Sequence, residues 1–341
     1  MKPKTLIILL VVTAILVLVD DIGVGFNSSN YAKFSEMIYG TAHKPFVCRA
    51  LIPILTRGVK EIIPHRVEVT LQQSKLMKLL AEKFNISSSY STELVIVLFW
   101  QIFFLYSFFI TLFSLVNKIY LIDERNRKLP EIIVGLSVIF LPLFFHSYAH
   151  LYDFPQLFLF TAGVYAIYTK NIKTLYLLMP ISMLNKETSV LLIIVYVFYG
   201  IFNSKPKTKL LLNAFVLLCI SAIIKLLLNA LFKQNPGPIV MNQLKEYNIP
   251  QITRIGALLR TYQRGLGILL LLLILPLEKH LKPKSLFLST VAIFLIELTS
   301  GFLWGRISEF RIFYETFPLL MLSNLPVVAK MLNKPLKPLV K

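Results

Sequence analysis

The chain has 341 residues, 36 lysines and arginines against 17 aspartates and glutamates, and a mean hydropathy of +0.70. Hydrophobic residues make up 56% of it, more than a soluble domain of this length buries, so a soluble globular protein is excluded. Several apolar runs approach the ~20 residues that cross a bilayer as a helix, the fold that satisfies its own backbone in lipid.

In chain order, Thr5 to Val19 is an apolar run behind Met1-Lys2-Pro3-Lys4. No small-residue cleavage pattern follows it closely, so it reads as an uncleaved first span. Its flanking lysines hold the N-terminus inside, and Asp20 and Asp21 then emerge outside. Residues 20–92 form a long external loop. Within it, the stretch FVCRALIPILTRGVKEIIP (46–64) spaces Val47, Leu51, Ile54, Val59 and Ile62 at near-helical intervals, with Arg49, Arg57 and Lys60 between them. That pattern predicts a short amphipathic helix bent at Pro53, lying on the membrane surface or packed as an ordinary loop helix.

Further spans are expected at about 93–117, 131–148, 154–169, 174–185, 188–203, 210–232, 265–277, 285–303 and 312–329. The 174–185 run is short for a crossing alone, and with 188–203 it reads as a pair broken around Lys186 and Glu187. The fold class is thus an all-α polytopic membrane protein of about ten helices, one transmembrane domain over 1–341, with a cytoplasmic tail at 330–341. Half of the 36 lysines and arginines fall in the short segments this topology places inside, as the positive-inside rule requires. The same clustering explains the net charge of +19 without nucleic acid, since there is no basic, aromatic-interleaved soluble face. Cys48 and Cys219 lie in a loop and in mid-span, which argues against a disulfide or a thiolate metal site.

On this topology the unusual polar residues collect on the outer face. Asp20 and Asp21 stand at the end of the first span. In HSYAHLYDFPQ, His146 and His150 are one helical turn apart and Asp153 is three residues further, types and spacing that suit a metal ion. Lys186 and Glu187 occupy NKETS, and Arg306, Glu309 and Arg311 occupy GRISEFRIF. Each group has a plain alternative: a solvated helix boundary, interfacial histidines, a loop tip, or arginines that snorkel to headgroups. Their sharing one side raises the functional reading, in which a carboxylate takes a proton from a hydroxyl and cations stabilise a departing phosphate.

The acidic pair closing the first span, the long first loop with YAKFSEMIYGTAHKPFVCRALIPIL, and the segments NKETSVLL and EFRIFYETFPLLML resemble the GT-C superfamily of polyprenyl-phosphate-dependent glycosyltransferases. The resemblance implies a GT-C-like fold in the cell membrane with the active site on the outer face. It also implies catalysis by Asp20 or Asp21, with Asp20 the narrow choice as general base. Arg306, Arg311, Lys186 and Arg49 are then expected at the donor phosphate. Asp153, with His150 and His146, is expected to hold a divalent metal cation or to position that phosphate. The partners implied are a polyprenyl-phosphate sugar donor, a glycan, lipid or protein acceptor, and membrane lipid. The competing readings are a transporter or flippase, and a polysaccharide polymerase or ligase that uses external arginines.

Overall fold

The computed structural model describes residues 1–27, 29–145, 150–203, 206–240, 242–253, 268–306, 309–334 and 336–339. Pro3 opens the first helix, α1 (Pro3–Val24), at a position where its missing N–H costs nothing. Gly25 closes it with φ +75, donating its N–H to the Asp21 carbonyl. A Cβ on Gly25 would sit 3.2 Å from the Phe84 carbonyl oxygen, so glycine serves both the turn and the close approach. The helix therefore runs past the expected end at Val19, and Asp20 and Asp21 lie within it instead of emerging as a solvated tip.

The first loop contains more structure than its sequence pattern indicated. Four helices follow one another: α2 (Phe34–Tyr39), α3 (Leu51–Ile62), α4 (His65–Gln73) and α5 (Lys75–Lys83). The bend expected at Pro53 does not occur, because Pro53 falls in the first turn of α3, where backbone N–H groups have no intrahelical acceptor. Its neighbours Leu51, Ile52 and Thr56 are buried, and α3 packs on α2 and on α6 (Ser91–Ile119). Helices α4 and α5 instead turn Val67, Leu76 and Leu79 outward, the display of an amphipathic helix at a membrane surface.

Helix α6, about 44 Å long at 1.5 Å per residue, packs along α8 (Asp153–Tyr168) and α1 and forms the centre of the bundle. Around it stand α7 (Leu129–Phe140), α9 (Ile172–Asn185), α10 (Leu192–Phe202), α11 (Lys207–Leu231), a short α12 (Ile249–Thr253), a helix over 268–274 (α13), α14 (Lys284–Leu303) and α15 (Thr316–Met331). Among the described residues, four helices are long and apolar enough to cross a membrane: Pro3–Gly23, Ser88–Ile119, Lys207–Leu231 and Lys284–Leu303. Three shorter apolar helices accompany them, Leu129–Phe144, Glu187–Phe202 and Thr316–Met331. On α11, Leu211, Phe215, Ile223, Leu226, Leu227 and Leu231 face outward. Among the described residues the strand pairing is one two-residue ladder and the rest of the regular structure is helical, the helices of a membrane protein.

The helix ends gather at two poles. At one, Tyr120–Leu121 pairs antiparallel with Lys337–Pro338, Lys330 reaches Glu278 at 2.5 Å, and the Tyr168 hydroxyl lies 3.5 Å from Ser285 Oγ. The segments expected inside the cell thus meet one another. The break between α9 and α10 occurs where the sequence placed it: Lys186 is extended, and a 3-10 turn at Glu187–Leu191 leads into α10.

Candidate functional site

At the opposite pole, a cavity of about 710 Å³ opens between the end of α14, the α9–α10 break, the turn before α8 and the first loop. Its walls carry five cationic side chains, Arg49, Lys186, Lys225, Arg306 and Arg311, and four acidic ones, Asp153, Glu187, Glu297 and Glu309. Aromatic and aliphatic groups, including Tyr31, Phe46, Trp304, Ile239 and Val240, complete the lining.

Side-chain amides on neighbouring helices fix the charged groups. Gln101 of α6 donates to the Leu151 carbonyl at 2.8 Å, and Asn185 of α9 donates to the Tyr152 carbonyl at 3.0 Å. Together they set the turn that starts α8 with Asp153. Asn185 also donates to Gln156, which bonds Ser189 just past the α9–α10 break. At the end of α14, the Asn248 amide donates to the carbonyls of Phe302 and Gly305 at 2.6 and 2.8 Å. The chain then leaves the helical path before the 3-10 turn Phe310–Phe313, which is the condition for Arg306 and Arg311 to reach the same space.

Most of the cations are already paired. Arg311 donates from Nη2 and Nε to one Glu309 oxygen, at 2.7 and 3.2 Å, and from Nη1 to Asp153 at 3.3 Å. Lys186 lies 3.1 Å from Glu315, which also accepts from the Thr188 hydroxyl. Arg49 donates to Glu187 at 3.2 Å and stacks over the Tyr152 ring, 4.1 Å from its centroid. Burial alone would lower the Arg49 pKa, but Tyr152 and Glu187 beside it outweigh that and hold it above the ordinary arginine value. Arg306 covers the Tyr247 ring at 4.8 Å. Snorkelling is excluded for Arg311, which is 8% exposed and turned inward.

Of the nine residues nominated by sequence, Arg49, His150, Asp153, Lys186, Arg306 and Arg311 line this one cavity. Asp20 and Asp21 do not. They are buried, close enough to Asp153 and Arg311 to interact electrostatically, but behind the wall. The extension of α1 to Val24 places both inside the helix, buried in the bundle and not at a solvated tip. Of the expected metal ligands, the described residues show two, His150 and Asp153. His150 packs its ring against Phe46 and Tyr152, Asp153 is engaged by Arg311, and His146 lies outside the described residues. Among the described residues no three His, Cys, Asp or Glu side chains converge as ligands.

Sequence reasoning did not nominate Glu315, Thr188, Tyr152 or Lys225. Lys225 and Glu297 carried a signal, charge inside an apolar run. Glu315 sits at the head of an apolar helix, and its partner is 129 residues away. No family model, curated protein or solved structure matches the chain.

Proposed function

We propose that the protein is a membrane glycosyltransferase of the GT-C type, transferring a sugar from a polyprenyl-phosphate donor to a hydroxyl acceptor. One observation carries this reading. Six residues nominated from four separate chain segments for phosphate binding and acid–base chemistry line a single cavity. That cavity is lined by charged side chains together with apolar and aromatic ones, a lining suited to an amphiphile with an anionic head.

In this reading the apolar runs make about ten crossings, both termini are cytoplasmic and the cavity opens on the outer face. The donor's phosphate lies among the cations, which stabilise the charge that grows on it as the sugar–oxygen bond breaks. The general base is Asp153, the aspartate on the cavity wall, held in orientation by Arg311. It takes the acceptor hydroxyl proton as that oxygen bonds the anomeric carbon, and the bonding electron pair departs with the polyprenyl phosphate. Asp20 and Asp21 act through Asp153 and Arg311 as positioning residues.

Mass spectrometry of lipid-linked sugars in cells lacking the protein tests the reading. Accumulation of one polyprenyl-phosphate sugar, with loss of the matching sugar from a surface glycan, supports it. An unchanged lipid-linked sugar profile contradicts it.

A further inference from the structure

The cavity's cations differ in one respect. Arg49, Lys186 and Arg311 each have a carboxylate within ion-pair distance, at 3.2, 3.1 and 2.7 Å respectively. Arg306 has the Tyr247 ring. Lys225 lines the same cavity from α11, and no carboxylate lies within ion-pair distance of it among the described residues. Glu187 interacts with it electrostatically, but that carboxylate is already bonded to Arg49.

Its position makes that unusual. Lys225 sits in the last third of an apolar helix, six residues before Leu231, hence about 9 Å from the helix end. Its neighbours Ile223, Leu226 and Leu227 are exposed on the outer surface of the bundle. A cation in such a span is costly unless a counter-charge or a polar cavity meets it. Here the protein supplies the cavity, and among the described residues no ion-paired acid, whereas Arg49, Lys186 and Arg311 each have one.

We infer that Lys225 is the anion-binding residue of the cavity, the ammonium that pairs with a phosphate of the substrate. The inference rests on the lipid-phosphate donor proposed above and deepens it. Arg49, Lys186 and Arg311 form the cavity wall through ion pairs that an incoming phosphate would have to break, and Lys225 meets that phosphate without losing a partner. A lysine suits the task as a compact point charge with three donors. The shared chemistry is a phosphate ester or free phosphate anion.

The test is binding of a polyprenyl monophosphate to the full-length protein in detergent, followed by native mass spectrometry, with Lys225→Met and Lys225→Arg beside wild type. Lys225→Met is expected to weaken binding at least tenfold, and Lys225→Arg to retain most of it. Lys225→Met is also expected to unfold no more readily than wild type without ligand, because it removes an uncompensated charge from the span. Competition with inorganic phosphate and with an anionic phospholipid identifies the source of the anion. Displacement only by polyprenyl phosphates assigns the site to the proposed donor. Displacement by either competitor, abolished in Lys225→Met, keeps the anion site but removes the donor reading. Equal affinity of Lys225→Met and wild type for polyprenyl phosphate overturns the inference and leaves the donor reading standing. Loss of the folded protein on Lys225→Met also overturns it, since Lys225 would then be a structural partner.

Discussion

Arg311 makes the most demanding prediction about how the site is built. Its guanidinium gives Glu309 two hydrogen bonds and Asp153 one, at 2.7, 3.2 and 3.3 Å, with all three side chains nearly buried. A lysine ammonium cannot reproduce that fork. In Arg311→Lys it reaches one carboxylate and leaves the other without its cation. A hydrogen bond to a charged group contributes about 1.5–3 kcal/mol, so Arg311→Lys should cost roughly 2–3 kcal/mol. Arg311→Met strands both acids and should cost about 3–5 kcal/mol, the range for removing one partner of a buried pair. Unfolding by sodium dodecyl sulfate in mixed micelles, followed by the fluorescence of Trp100 and Trp304, measures both. A double-mutant cycle with Glu309→Gln isolates the pair and should return a coupling above ~0.5 kcal/mol. If Arg311→Lys falls within about 0.5 kcal/mol of wild type, the reasoning fails, because that is the behaviour of an arginine anchored at headgroups.

Four further predictions concern the surrounding scaffold and its orientation. Cys48 is buried and burial raises its thiol pKa, so an impermeant maleimide should leave it unmodified on folded protein and label it in dodecyl sulfate. A cysteine at the exposed Lys83 position, in a Cys48→Ala background, should label on intact cells, and labelling only after lysis would invert the proposed orientation. Burial depresses the Lys282 pKa to about 8. The folded state therefore binds fewer protons than the unfolded state between that value and the ordinary 10.5, so stability should rise with pH across this window. Lys282→Met should flatten that part of the stability profile, and an identical profile would refute the assignment. Gly237 has φ +91, and an added Cβ would stand 2.9 Å from the Lys44 carbonyl oxygen. Gly237→Ala should cost about 1–3 kcal/mol in the same unfolding assay and loosen the loop that brings Ile239 and Val240 to the cavity.

The helix positions were legible because apolar runs and their charged boundaries are local properties. The run at 174–185 ends at Asn185 as its length required, and Lys186-Glu187 marks the break. What failed was the end of α1. Two aspartates look like a solvated boundary until the Gly25 turn and its contact with Phe84 show that the helix continues beneath them. Pro53 was misread for a related reason, since a proline bends a helix only beyond its first turn and the start at Leu51 is not marked by any capping side chain. Within the site, residue types were readable and their pairing was not. Arg311 and Glu309 are two apart in one stretch, but Asp153 lies 158 residues from Arg311 and Glu315 lies 129 from Lys186. Only tertiary packing reveals which cations are paired and that Lys225 of α11 lines the same cavity.

The central claim is that this cavity transfers a sugar from a polyprenyl phosphate. Its most direct test is turnover of the full-length protein in liposomes with synthetic polyprenyl-phosphate hexoses and pentoses, with release of polyprenyl phosphate as the readout and Asp153→Asn beside wild type. The account predicts turnover of one of these donors and a loss of about 10²–10⁴-fold in Asp153→Asn. No turnover of any donor by folded protein, or equal turnover by Asp153→Asn, would contradict it.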